Sequence, residues 1–207
     1  MALVDHEYRF ICIDVGSYGS NSDGGIFAKS ELGKALDNNQ LHIPPDKHLP
    51  GALHLGNMPH VIVGDEAFPL KRHIMRPYPG SDLDDNKRIY NYRLSRARRI
   101  VENAFGILAA RWRIYQRRIQ LHPKNVDKII KATCVLHNYL QKTSSSAANS
   151  EEIGYETRAA AIQALRLSGN RASREAIEIR EKFTNYFTSP AGEVLWQRNA
   201  CFGQAHD

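Results

Sequence analysis

Side-chain character alternates over Phe10-Ile11-Cys12-Ile13-Asp14-Val15, with Phe10, Cys12 and Asp14 on one side and Ile11, Ile13 and Val15 on the other. A period of two predicts a strand. Ala2-Leu3-Val4 is a second apolar run, closed by Asp5 and followed by a short polar turn, so the pair predicts a β-hairpin. Residues 16–25 are crowded with Gly, Ser, Asn and Asp and predict a loop. Residues 26–36 predict a helix with Phe27, Leu32 and Leu36 near one face, and Pro44, Pro45 and Pro50 break up the stretch after it. His60-Val61-Ile62-Val63-Gly64 is short, β-branched and ends at Asp65. It predicts a buried strand, whose C-terminal end is where a covered sheet places its site. Pro69, Pro77 and Pro79, then Asp82, Asp84 and Asp85, predict a long connection.

The period then lengthens. Residues 91–115 hold no proline and only Gly106, and Leu94, Val101, Phe105, Leu108 and Trp112 recur at helical spacing. Pro123 suits a first helical position, and Val126, Ile129, Ile130, Leu136 and Leu140 carry a second helix over residues 123–141. Residues 143–150 read as a polar linker, and residues 159–167 and 174–187 as two more helices, the latter with Ile179, Phe183 and Tyr186 in register. No internal repeat is visible.

Composition narrows the class. With 207 residues, 42% apolar and 24% charged, the chain is long enough for one core and too apolar for a disordered tract. No apolar run nears the ~20 residues that span a bilayer, and charge begins at Asp5, so neither a membrane helix nor a signal peptide is expected. Cys12, Cys134 and Cys201 are odd in number and far apart, which predicts no disulfide framework and suits a reducing compartment. The net charge of +6 is localised: residues 87–118 carry 10 Lys/Arg against 1 Asp/Glu, whereas residues 1–86 carry 7 against 12. Clustered arginines gain affinity for closely spaced phosphates by releasing counterions; a solvated helix face has the same composition. The candidates for nucleic-acid contact are Arg93, Arg96, Arg98, Arg99, Arg111 and Arg113.

Three acids occupy unusual places. Asp5 and Asp65 each end an apolar strand, and Glu102 lies on the arginine-rich helix. At 100° per residue, Val101, Phe105, Leu108 and Trp112 cover an arc of about 60°, and Glu102 falls some 60° beyond its edge. Convergent carboxylates suit hard divalent cations, and two ions about 4 Å apart can serve an in-line phosphodiester displacement. Each acid also has a plainer reading: an Asp after a strand forms turns, and Glu102 with Arg98 is an i,i+4 helix pair.

Longer motifs go further. They are Ala2-Leu3-Val4-Asp5, Gly19-Ser20-Asn21-Ser22-Asp23 leading to Ile26-Phe27, Val63-Gly64-Asp65 with Phe68-Pro69-Leu70, and Pro77-Tyr78. Further along come Asn91-Tyr92-Arg93-Leu94-Ser95-Arg96-Ala97-Arg98, Val101-Glu102-Asn103-Ala104-Phe105-Gly106 and Cys134-Val135-Leu136-His137-Asn138. In this order, over residues 1–142, they resemble the DDE superfamily endonuclease domain of PIF/Harbinger transposases, including the domesticated Harbinger-derived nucleases. The resemblance implies an α/β, RNase H-like fold: a mixed sheet flanked by helices, with a helical C-terminal tail. It implies a catalytic domain over residues 1–142, a linker at 143–150 and a helical tail at 151–207.

By the same resemblance Asp5, Asp65 and Glu102, 60 and 37 residues apart, are the catalytic, metal-holding acids. Mg²⁺ or Mn²⁺ is the implied cofactor, DNA the substrate, a Myb-like protein the implied partner, and the nucleus the compartment, with the cytoplasm second. Asp23 falls in the loop motif, where a loop-closing turn is the alternative to contact with metal or substrate. His137 and Cys134 read as core, as do Tyr8, Tyr90, Tyr92, Trp112 and Tyr115, whose other reading is base stacking. Two departures stand out: Tyr18 where the family often has Pro, and a start only four residues before Asp5, without the family's N-terminal helical DNA-reading region. The expectation is a domain truncated at its N-terminus that binds DNA non-specifically and cleaves poorly. A non-catalytic DNA- or protein-binding module is the competing function.

Overall fold

The computed structural model describes residues 1–16, 23–145 and 172–203. They form a mixed α/β chain of six short strands and six α-helices among the described residues, organised as two compact units.

The first unit draws on Met1–Ala35 and Arg99–Gln163. Its hairpin pairs β1 (Ala2–Val4) antiparallel with β2 (Phe10–Ile13), as the alternation predicts. Leu3 faces Cys12 but Val4 faces Phe10, so Ile11 is an extra residue on β2 and the ladder bulges there. The hairpin rests on α4 (Pro123–Ser145) and on the C-terminal part of α3 (Asp85–Arg111), around a core of Phe10, Ala104, Leu108 and Cys134. Asn138 on α4 holds the strand through its side-chain amide: Oδ1 accepts from Phe10 N at 2.8 Å and Nδ2 donates to Phe10 O at 2.9 Å. His137, fully buried, lies edge-on to Phe10, with Nε2 2.8 Å from the Tyr8 carbonyl. The core reading of His137 and Cys134 therefore holds. Leu136 is instead on the outer face of α4 with Val135 and Tyr139, because Ile130, Thr133, Cys134 and His137 take the inner one.

Residues 23–37 correct the sequence expectation of a loop followed by one helix over 26–36. They form α1 (Asp23–Lys29) and α2 (Glu31–Asp37), parted at Ser30. The buried Ser30 Oγ donates to the Phe27 carbonyl at 2.7 Å and accepts from Gly33 N at 3.0 Å, capping α2 while closing α1. A Cβ at Gly33 would lie 2.0 Å from the Phe27 carbonyl oxygen, so only glycine permits so close a junction.

The second unit draws on Leu36–Arg98 and Ala164–Asp207. It contains two further strand pairs: β3 (Lys47–His48) antiparallel to β4 (Asn57–Met58), and β5 (Ile62–Val63) parallel to β6 (Ile74–Met75). The strands thus form three two-stranded ladders rather than one mixed sheet among the described residues. Its core joins Met58, Leu70, Met75, Tyr90 and Leu94 to Ala176 and Ile179 of α5 (Arg174–Thr188), which the sequence pattern placed over nearly the same span. The helix α3 starts six residues earlier than the apolar stripe predicts, because Asp84 caps it by accepting from Lys87 N at 2.9 Å. It ends at Arg111, where Trp112 turns extended ahead of a 3-10 turn over Arg113–Gln116. The helix α4 runs past Gln141 to Ser145; the rest of the expected linker and the helix expected over 159–167 lie outside the described residues.

Candidate active site and basic helix

Asp5 ends β1 and organises the hairpin turn. Its Oδ1 accepts from Glu7 N and Arg9 N, each at 2.9 Å, while its backbone N donates to the Arg9 carbonyl at 3.0 Å. Its Oδ2 accepts from Arg9 Nε at 2.8 Å, and the far edge of the same guanidinium is paired with Glu7. Asp5 is therefore a turn former, as its position after a strand allowed. Burial raises its pKa, but hydrogen bonds from Arg9 and Glu7 and the Arg9 charge outweigh that and hold the carboxyl below its usual range. Tyr8, at φ 62°, takes the left-handed conformation that bulky residues avoid, and the His137 bond to its carbonyl restrains it.

Asp65 lies one residue beyond β5, after Gly64, at the C-terminal end of a parallel pair as expected, but the strand is half-buried and only two residues long rather than a buried run over residues 60–64. Its Oδ1 accepts from Ala67 N at 2.9 Å, its carbonyl accepts from Phe68 N at 3.2 Å, and Arg98 Nη2 stands 3.6 Å from its Oδ2. The loop is tight because the Phe68 side chain packs against Gly64, where an added Cβ would meet it at 2.9 Å. Arg76 Nη1 braces it from outside, donating to the Phe68 carbonyl at 3.1 Å. Glu102 lies on α3, exposed to solvent.

The three acids are hard oxygen donors without sulfur or imidazole, the set that suits Mg²⁺ or Mn²⁺. Asp5 and Glu102 belong to the first unit and Asp65 to the second. Among the described residues no three His, Cys, Asp or Glu side chains form a group that could hold a metal ion. Asp23 begins α1. The sequence gives no hint of Arg9 or Asn138 as partners, apart from the i,i+4 spacing of Asp5 and Arg9.

The six candidate arginines divide. Arg93 stacks on Phe187 at 4.6 Å and donates to Gly192 O at 3.2 Å and Gln197 Oε1 at 2.9 Å; burial lowers its pKa. Arg96 lies over Trp196 at 4.3 Å, and Arg98 faces Asp65. These three thus hold parts of their own unit, Arg93 clamping the tail to α3. Arg99, Arg111 and Arg113 are exposed in the first unit, beside the exposed Arg117 and Arg118.

The DDE superfamily endonuclease family model matches residues 1–138, two thirds of the chain. A protein described as Protein ALP1-like from Arabidopsis thaliana is 30% identical over 146 residues, which cover 67% of this chain and 34% of that protein. The chain thus spans about a third of that relative's length. No solved structure matches. With Asp5, Asp65 and Glu102 all inside the matched segment, the chain belongs to the DDE superfamily endonuclease family.

Proposed function

We propose that the chain is the catalytic domain of a divalent-metal-dependent DNA endonuclease or transposase, with Asp5, Asp65 and Glu102 as its acids. The observation that carries this is the family match over residues 1–138, which encloses all three carboxylates and most of the basic surplus. An RNase H-like arrangement of the acids is part of the proposal. Asp5, Asp65 and Glu102 would hold Mg²⁺ or Mn²⁺, which when bound supplies activation of the attacking water and neutralises charge on the leaving oxygen. Exposed Arg99, Arg111 and Arg113 would bind phosphates of the duplex. Such contacts position DNA without reading sequence. A nuclear location and a Myb-like partner belong to the same reading.

One observation favours a second reading, a non-catalytic DNA- or protein-binding module. Asp5 already has three hydrogen-bond donors and Asp65 an arginine beside it, so both acids have structural work without a metal. Supercoiled plasmid incubated with the chain and Mn²⁺ separates the two. Nicking that Glu102→Gln abolishes supports catalysis. Plasmid left intact by a folded, DNA-binding chain supports the module.

A further inference from the structure

The helix α4 buries one face and leaves the other in solvent. Ile130, Cys134 and His137 pack toward the hairpin. On the outer face Ala132, Val135, Leu136 and Tyr139 follow i, i+3, i+4 and i+7 and, at 100° per residue, share an arc of about 100°. Val135 is 67% exposed, Tyr139 65% and Leu136 45%. Apolar side chains at that spacing are what one helix offers another, and the small Ala132 leaves room for a partner's ridge. Toward its start the same face is basic. Lys128 lies one turn before Ala132, Lys131 at the edge of the arc and Lys124 a turn further back, all exposed. The single acid of α4, Asp127, is turned to the hairpin side, where its Oδ2 lies 3.4 Å from the position of a Cβ added to Gly16. With no acid in the first turn, Lys124 adds to the positive end of the helix dipole instead of offsetting it.

We propose that the outer face of α4 docks an amphipathic helix of a partner protein, with large apolar anchors on one side and Asp or Glu along the edge that meets Lys124, Lys128 and Lys131. The apolar side chains select a protein, because a duplex backbone presents charge and gives Val135 and Leu136 nothing apolar to bury against. The lysines select its sign. A second copy of this chain would bring four lysines and one acid on the same helix, crowding like charge along the contact. An acidic helix sets opposite charges at the rim, where they steer the encounter and fix register, while Val135, Leu136 and Tyr139 supply the buried centre. The three exposed lysines lie toward Pro123 and the anchors toward Ser145, so the partner's acids belong at one end of its helix. No residue of this face is among the three acids or the arginines assigned to phosphates, and the inference therefore stands apart from the catalytic reading.

The test uses the full chain and two fluorescein-labelled helical peptides of about 18 residues, or five turns. Both carry Leu at i, i+3, i+4 and i+7 spacing; one has Glu along the flank and the other Lys. Fluorescence anisotropy should show the Glu peptide binding at least about tenfold more tightly than the Lys peptide. The double change Val135→Ser and Tyr139→Ser, first shown by circular dichroism to be folded, should weaken the Glu peptide about tenfold or more. The same variant should bind a short DNA duplex within about twofold of the parent. Lys128→Glu with Lys131→Glu should reverse the preference between the two peptides. Equal affinity for both peptides, or no binding of either up to about 1 mM, would overturn the proposal. So would a loss of duplex affinity in the Val135 and Tyr139 variant as large as its loss of peptide affinity, which would assign the face to nucleic acid. A dimer of the parent in sedimentation velocity that Tyr139→Ser dissolves would assign it to a second copy and equally overturn the proposal.

Discussion

His137 illustrates how a single residue acquires a property from its surroundings. Burial lowers its pKa below the usual 6.5; the Tyr8 carbonyl raises it and the Arg111 charge lowers it further. The unfolded chain therefore takes up a proton near pH 6.5 that the folded chain refuses until the pH is lower. The stability contribution is complete above about pH 6.5 and is lost progressively as pH falls below it. Urea unfolding of the parent chain should show its midpoint dropping over that range. In His137→Gln, whose amide can still reach the Tyr8 carbonyl, this part of the slope should vanish. An identical slope in the two proteins would mean that other groups govern the acid side.

At the scale of elements, the hairpin and α4 are joined by the Asn138 amide more than by a long ladder. Among the described residues the strand β2 has β1 on one edge only, and Phe10 presents both backbone groups to Asn138. Asn138→Ala strands a partly buried N–H and C=O, which costs about 1–3 kcal/mol. Chemical denaturation should read that loss, and a change below about 0.5 kcal/mol would show that water replaces the amide freely. The same joint bears on Asp5, since β2 comes directly after its turn. Ser30, Asp84 and Pro123 show a different logic, in which a local cap or start residue sets a helix boundary.

For the molecule as a whole, the basic surplus is divided between building the fold and facing solvent. Arg93→Lys removes the planar stack on Phe187 and displaces the one nitrogen, Nη1, that donates to both Gly192 O and Gln197 Oε1. It should speed limited proteolysis near residues 192–197 while leaving DNA affinity within about twofold of the parent. The triple change of Arg99, Arg111 and Arg113 to Ala should instead leave protease resistance unaltered. It should reduce the slope of log affinity against log salt by about 2–3, if each arginine meets a phosphate of duplex DNA. Fluorescence anisotropy over a salt series measures this. An unchanged slope would mark these three as merely solvated.

Local pattern was enough to determine the hairpin, the presence of a short strand just before Asp65, most of the long helices, and the motifs that carry the family, because periodicity and capping depend on neighbours a few residues away. It also located the core positions of Cys134 and His137. Residues Asp23–Gly25 were misread because glycines that signal a loop can equally open a helix, which Ser30 then ends. Only the tertiary structure decided which arginines are occupied. Arg93 and Arg99 are alike in sequence, yet one meets Phe187 and Gln197 about a hundred residues away and the other meets solvent. It likewise decided that Leu136 faces outward while Thr133 and His137 face Tyr115 and Phe10. A side chain's partner across the chain is chosen by packing, and packing leaves no periodic trace in the order of residues.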